Sequence, residues 1–386
     1  MIPKKYLIFK NFTKINNTKK IKKKLIEIIN DPNEIIKSLK ADYKYSFSSK
    51  LISKIKKKKE PINLIGMGGS ILGTKAIFSF LKKKIKKDVN FIDNLSQNKK
   101  TDNDYGLNIV VSKSGNTLET ILNSNIHIKK DHQNVFITEN KKSFLRNLAL
   151  KLKAEIIDHN NFIGGRYSVL SEVGMLPASL VGLSIKKFKR FNDLIKNKSF
   201  IENLVTNVAS IIYYVKKKKF NSVVLNYDED SEDLFKWYQQ LMAESLGKKG
   251  KGIFPIISSM PKDNHSLLQL YLDGPKNNFF TFFFSHERET IKIIKNKYFD
   301  FSDYLKNQTI GNILSSKKLA TENVFLKKKI PYRSFYIHKK NEEVLGEIFT
   351  FFILEVILLG KVMNVNPYDQ PSVELVKKET IRILKK

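Results

Sequence analysis

The stretch NIVVSKSGNTLETI, residues 108–121, sets three hydroxyl side chains, Ser112, Ser114 and Thr117, around one glycine, Gly115, just ahead of a helical pattern. Hydroxyls and inward-turned amides at the start of a helix suit a phosphate monoester, because unpaired N–H groups and partial positive charge collect there. An N-cap formed by Thr117 is the other reading, and it leaves Ser112 and Ser114 unexplained. A related loop lies upstream. In LIGMGGSILGTK, residues 64–75, an apolar strand runs through Gly66, Gly68 and Gly69 to Ser70 and into another helical pattern. A dinucleotide fingerprint needs glycine where Ile71 stands, and a Walker loop needs Lys-Ser/Thr where Thr74-Lys75 stands, so both nucleotide motifs fail. Asp93 ends the next strand, where a ribose-binding acid would sit, and this keeps a nicotinamide dehydrogenase as a competing reading. Two hydroxyl loops at the carboxyl ends of parallel strands fit one phosphorylated ligand better than two unrelated turns.

Further along, IGGRYSVLSEVGMLPASL holds Arg166 behind Gly164 and Gly165. WYQQLMAESLGKKGKG reads as a helix with Gln240 and Glu244 sharing one face, while Leu234, Tyr238, Leu241 and Ser245 share another. Taken alone, Glu244 reads as the partner of Lys248 in an i,i+4 pair worth about 0.3–0.5 kcal/mol. DNHSLLQLYLDGP contains His265, one of six histidines, and NPYDQPSVELVKKE contains Gln370 and Lys377.

In this order the segments resemble the sugar isomerase (SIS) domain and, within it, the phosphoglucose isomerase family. Its members carry GxGGSxLG, SKSGxTxET and GGRYS, then the glutamate helix, the histidine segment and the C-terminal signature. The resemblance spans about residues 60 to 380. It implies that Ser70, Ser112, Ser114 and Thr117 hold a sugar phosphate, with backbone help around Lys113. It implies Glu244 as the base with Gln240 beside it, and Arg166 as the stabiliser of an enediolate-like intermediate, with Gly165 leaving room for substrate. His265 is implied in ring opening, and Gln370 and Lys377 at the sugar ring. The implied activity is reversible isomerisation of glucose 6-phosphate and fructose 6-phosphate through ring opening and a cis-enediol, in glycolysis and gluconeogenesis, with no metal and no redox cofactor. The family's histidine comes from the neighbouring subunit, which implies a homodimer with shared active sites. Another SIS-family isomerase or sugar-phosphate-binding protein is the alternative. Asn116, Asn264 and Pro371-Ser372 depart from the family pattern.

The elements that must position these residues follow from the apolar pattern. Short strand-like runs (INLIG, VNFID, LNIVVS, NVFIT, EIID) alternate with helices near 71–84, 118–130 and 143–153, which points to a parallel sheet covered on both faces. After a helix at about 199–218 a second series begins, with SVVLNY, GIFPII, FFTFFFS and RSFYI between helices near 231–246, 264–271 and 341–363. A last helix spans about 372–386. The expected fold class is therefore α/β, and the resemblance implies two SIS-type, flavodoxin-like αβα domains: 41–195 and 196–345, flanked by an N-terminal extension, 1–40, and a C-terminal helical segment, 346–386, that completes the active site.

Composition narrows the setting. The absence of cysteine excludes disulfides and thiolate chemistry and suits a reducing cytoplasm. The net charge of +33 resides in lysine, with only six arginines among 70 basic residues, which reads as codon bias rather than a nucleic-acid role. The charge still draws anionic metabolites inward. The N-terminus lacks a signal-peptide core. The apolar stretch near 344–363 carries Glu347, Glu355 and Lys361, so it is expected as a buried helix and not a membrane span.

Overall fold

The structure, a computed structural model, describes residues 6–12, 18–56, 61–96, 106–129, 132–286, 291–293 and 303–385. The lysine run at 56–59 lies almost wholly outside them. The chain opens with a short strand, β1 (Leu7–Lys10), and three helices, α1 (Lys19–Ile29), α2 (Glu34–Leu39) and α3 (Ser49–Lys56), none of them read from the sequence.

The strands expected in the first half all form. β2 (Ile62–Gly66), β3 (Val89–Ile92), β4 (Leu107–Val111), β5 (Gln133–Thr138) and β6 (Glu155–Asp158) make one parallel sheet in the order β3-β2-β4-β5-β6. β2 and β4 are buried along their whole length, so both read as unbroken apolar runs. Three helices make the crossovers: α4 (Leu72–Phe80), α5 (Leu118–His127) and α6 (Phe144–Lys151). Ile62 and Leu64 join the main core, while Ile65, Val110 and Phe136 pack on the other face with Leu145 and Ala149 of α6.

A row of asparagines crosses this sheet. Asn90 donates to Asn63 at 3.0 Å, Asn63 to Asn108 at 3.0 Å, and Asn108 to Asn134 at 2.9 Å. The same residues are register partners across the strands. A one-residue slip would send every amide to the opposite face. The ladder therefore fixes the level at which the loops after β2 and β4 emerge.

The second half repeats the plan. α7 (Glu172–Leu180), α8 (Phe191–Lys196) and α9 (Lys198–Lys216) lead into β7 (Asn221–Asn226), α10 (Glu232–Leu246), β8 (Phe254–Ser259) and α11 (Leu268–Asp273). Then follow β9 (Asn278–Ser285), α12 (Ile310–Lys327), β10 (Tyr332–Ile337), α13 (Glu342–Met363) and α14 (Val373–Leu384). The sheet order is β1-β10-β9-β7-β8, parallel except for β1, which pairs antiparallel with β10. Without β1, the order mirrors that of β5-β4-β2-β3 in the first sheet. Val223, Leu225, Phe280 and Phe282 pack with Phe325 of α12 on one face, and Val224, Phe279, Phe283 and Phe335 join the main core on the other.

One expectation changes. The helix predicted at 264–271 is a 3₁₀ turn, Lys262–Asn264, followed by α11 from Leu268, so His265 lies in a turn. α7, α8 and α12 were not read from the sequence. The apolar helix near the C-terminus does form as a buried one: in α13 every residue from Val344 to Gly360 except Glu347 is buried. Asn341 caps its start, accepting from Val344 N at 2.8 Å, and Asn364 ends it in the left-handed region at φ 53°. Among the described residues no helix is long and apolar enough to cross a membrane.

Candidate active site

In the first sheet the chain leaves β2 towards one edge and β4 towards the other. The crevice between their carboxyl ends is thus the topological switch point, where open α/β sheets bind ligands. Both serine loops open there. Gly66 pairs with Val111, the residue before Ser112, and a Cβ on Gly66 would lie 3.3 Å from the Ser70 Cβ, so Ser70 folds back over the end of β2.

The second loop is shaped by its own hydroxyls. Ser112 Oγ and Thr117 Oγ1 are 3.0 Å apart, and Ser112 Oγ accepts from Gly115 N at 3.2 Å. Ser114 Oγ accepts from Asn116 N at 3.2 Å. Thr117 stands at the N-cap position of α5 but makes no side-chain capping bond, so the alternative reading of the loop fails. Gly115 has φ +66°, and a Cβ there would sit 2.1 Å from Ser143 Oγ. Only glycine fits. Asn116, a departure from the family pattern, ties the loop to the start of α6, because its Oδ1 accepts from Phe144 N at 2.9 Å. The Lys113 ammonium turns away to donate to the Asn161 carbonyl at 2.7 Å, with Glu139 3.6 Å off. Burial lowers its pKa, and Glu139 counters part of that fall. Behind it, burial pushes His159 down to about 4, so the imidazole is neutral near pH 7.

A third loop meets the first. Gly165–Leu170 forms a 3₁₀ turn, and a Cβ on Gly69 would lie 2.3 Å from the Gly165 carbonyl carbon and 2.5 Å from Arg166 N. Backbone-to-backbone contact is the visible reason for glycine at 69, whereas a Cβ on Gly165 would make ordinary contact, 3.4 Å from the Gly69 Cα.

Arg166 is 2% exposed, and its guanidinium ties the arginine loop to α10 and to the segment 367–370. Nε donates to Ser245 Oγ at 2.8 Å. Nη1 donates to Glu244 Oε2 at 3.0 Å and to Gln370 Oε1 at 2.7 Å. Nη2 donates to the carbonyls of Pro367 at 2.7 Å and Asp369 at 3.1 Å. Those bonds use all five N–H donors of the fork. Gln240 Nε2 donates to Glu244 Oε1 at 2.8 Å, and it would lie 3.1 Å from a Cβ on Gly68, so Gln240 bridges the first glycine loop to Glu244. The Gln240 carbonyl oxygen is buried with no hydrogen-bond partner among the described residues. α10 supplies Gln240, Glu244 and Ser245 from the second half of the chain by packing against α4.

Some residues that hold this cluster were not read as site residues. Trp237 Nε1 donates to the Arg166 carbonyl at 3.0 Å. Tyr167 Oη shares a 2.8 Å bond with Ser245 Oγ and donates to the Pro367 carbonyl at 2.9 Å; burial raises its phenol pKa. Ser245 was visible only as a member of the helix's buried face. The Glu244–Lys248 pair does not form: Lys248 pairs with Asp369 at 2.9 Å instead. Asp93 is taken by Lys75 at 2.8 Å, which accounts for it without a ribose.

Two predicted residues stay apart. His265 is exposed in its turn, and among the described residues no side-chain hydrogen bond links it to the Arg166 cluster. Lys377 lies on α14, paired with Glu374 at 2.7 Å, and every residue of α14 is at least partly exposed.

The family model for phosphoglucose isomerase matches residues 16–254. The chain belongs to that family. Glucose-6-phosphate isomerase of Methanocaldococcus jannaschii is 34% identical over 343 residues, covering 84% of each chain. The Mycoplasmopsis synoviae protein of the same name is 31% identical over 392 residues, covering 90% of this chain and 89% of the relative. The fold resembles that of a hypothetical protein of Thermus thermophilus, with TM-score 0.82 at 22% identity over 95% of this chain and 94% of that one. The phosphoglucose isomerase family match contains both serine loops, Arg166, Gln240 and Glu244; His265, Gln370 and Lys377 lie beyond its end.

Proposed function

We propose that the chain interconverts glucose 6-phosphate and fructose 6-phosphate. The observation that carries this reading is the junction at the switch point, where Arg166, Glu244, Gln240 and Gln370 lock together beside two hydroxyl loops. Ser70, Ser112, Ser114 and Thr117, with the Lys113 backbone, hold the phosphate and leave the sugar carbons facing α10. Glu244 takes the C2 proton of the open-chain aldose and returns it at C1, through a cis-enediol. One carboxylate reaches both carbons because they are adjacent. Arg166, itself buried, holds a fixed positive charge beside the developing oxyanion. The Gln240 side-chain oxygen, buried with no partner among the described residues, accepts a sugar hydroxyl in this reading. Gln370 orients a second hydroxyl, and His265 and Lys377 exchange protons with ring and hydroxyl oxygens during ring opening.

This assignment calls for a second copy of the chain, since His265 lies outside the cluster and α14 exposes Val373, Leu375, Val376, Ile381, Ile383 and Leu384. A homodimer with shared sites supplies both the histidine and a cover for that apolar surface. The units 41–195 and 196–345 serve as the two SIS-type domains, with 346–386 completing the site, in a cytoplasmic enzyme that engages neither nucleic acid nor membrane.

Purified protein incubated with fructose 6-phosphate is expected to yield glucose 6-phosphate, read by its oxidation with a coupling dehydrogenase that reduces a nicotinamide cofactor. No product at any enzyme concentration would sink the reading. Gly69→Ala tests whether the phosphate and arginine loops must touch. The added methyl has no room, so the loops separate by a fraction of an ångström or more, and kcat/KM is expected to fall about 100-fold. Kinetics close to the parent's would show that the contact is dispensable.

A further inference from the structure

Most of the chain's lysines lie in solvent, but the side chain of Lys248 is only 10% exposed. It stands just past the end of α10, where a helix terminus favours a cation. Its ammonium donates to the Asn366 carbonyl, to the Asp369 carbonyl at 2.5 Å and to the Asp369 carboxylate at 2.9 Å. An ammonium has three donors and no acceptor, so these bonds use its whole capacity. Three residues on, Lys251 Nζ donates to the Met363 carbonyl at 2.9 Å.

The segment being held connects α13 to α14. Its own backbone bonding is sparse: Val365 N bonds back to the Gly360 carbonyl at 3.0 Å, and Tyr368 N to Asn366 Oδ1 at 3.1 Å. Its carbonyls are met instead by side chains from elsewhere, with Arg166 and Tyr167 on Pro367, and Arg166 and Lys248 on Asp369. Pro367 also packs on α13, where a Cβ on Gly360 would lie 2.9 Å from the proline Cβ. Gln370, which accepts from Arg166, is the next residue after Asp369.

We propose that Lys248 is a positioning residue, a latch that ties segment 364–370 to the end of the glutamate helix and so seats Gln370 against Arg166 and Glu244. The proposal rests on the isomerase reading given above. The end of the helix that carries the base thereby also fixes the orienting glutamine: Lys248 bonds the segment directly, and Glu244, four residues earlier, is linked to Gln370 through the shared Arg166 Nη1. Arg166 alone does not suffice for this, because it touches the segment only from the side of the arginine loop.

Lys248→Met keeps the apolar stem and removes the ammonium. Two readouts on the full-length protein follow. Amide hydrogen exchange across 364–370 is expected to quicken about tenfold, with the sheet amides unchanged. With fructose 6-phosphate, kcat is expected to fall about tenfold with KM within about twofold, since the serine loops hang from other elements. Lys248→Arg should restore most of both. Unchanged exchange overturns the latch whatever the activity does, and faster exchange with parental kcat overturns its role in positioning. A parent protein that turns over no hexose phosphate sinks the isomerase reading and leaves the exchange result standing. If Lys248→Met does not fold, Asp369→Asn weakens the same latch, and exchange is expected to quicken about threefold; no change there also overturns it.

Discussion

Glu244→Gln is expected to lower turnover of fructose 6-phosphate by about 10³- to 10⁴-fold, the scale of losing a positioned general base. The amide keeps the shape of the carboxylate. Its oxygen can still accept from Arg166 Nη1, and the site's other bonds remain, among them those from Arg166 to Ser245, Pro367 and Asp369. What it cannot do is carry a proton from one carbon to the next. In the proposed reading the sugar phosphate is held by Ser70 and the Ser112–Thr117 loop, which follow strands of the first sheet, so the dissociation constant is expected to stay within about threefold. Two measurements separate base loss from collapse of the site: isothermal titration with fructose 6-phosphate, and exchange of the sugar's C1 hydrogen with heavy water. Both turnover and exchange should vanish while binding persists. Turnover within tenfold of the parent would remove Glu244 from the role. Asp at this position retains the charge but draws it back by about one carbon–carbon bond, and it is expected to recover only part of the rate.

Much of this arrangement was legible from residue types. Strands such as INLIG and LNIVVS declare themselves because both faces are buried, and the loops after them stand out because hydroxyls and glycines crowd where a helix starts. The cluster itself was legible only through resemblance, since Gln240 and Glu244 on a helix face look like any polar face, and the Lys248 spacing points to the wrong partner. The reason is physical: Arg166, Glu244 and Gln370 are brought together by tertiary packing of α10 across α4 and by a returning C-terminal segment, and no local period encodes that. α7 escaped for another reason. All its residues are buried, so it has no polar face to set a period, and Gly174 and Pro177 read as breakers. Gly174 is needed because a Cβ would fall 2.0 Å from the Val169 carbonyl oxygen. β1 escaped because its apolar-basic alternation fits a loop as well as a strand; its partner, β10, lies more than three hundred residues away.

Glu355→Leu is expected to cost about 3–5 kcal/mol of folding stability, a large share of the roughly 5–15 kcal/mol available to a natural domain. Glu355 and Arg333 are both fully buried, on α13 and β10, and their ion pair sits inside a closed network. Arg333 also donates to Asn207 Oδ1 at 2.8 Å, Thr281 Oγ1 at 2.9 Å and Tyr238 Oη at 3.2 Å. Asn207 and Tyr238 in turn donate to the Glu355 carboxylate, the latter at 2.7 Å. Removing one partner leaves a guanidinium without its counter-charge at zero exposure, and that unpaired charge is what dominates the loss. Urea denaturation should report it as a lower midpoint, and an unchanged midpoint would show that the network carries no weight. The companion variant, Arg333→Met with Glu355→Leu, removes both charges and is expected to recover most of the stability, because burying a well-formed ion pair gains little over apolar packing. It should not recover activity in the same proportion. Tyr238 lies on α10, six residues before Glu244, and the pair is what anchors its hydroxyl. With the anchor gone, α10 keeps its polar ties to the arginine loop but meets β10 and α13 through apolar contacts, which tolerate small rotations that directional bonds do not. A double variant with restored midpoint and depressed kcat would place the value of this buried network in aiming the glutamate helix; equal recovery of both would reduce it to an ordinary part of the core.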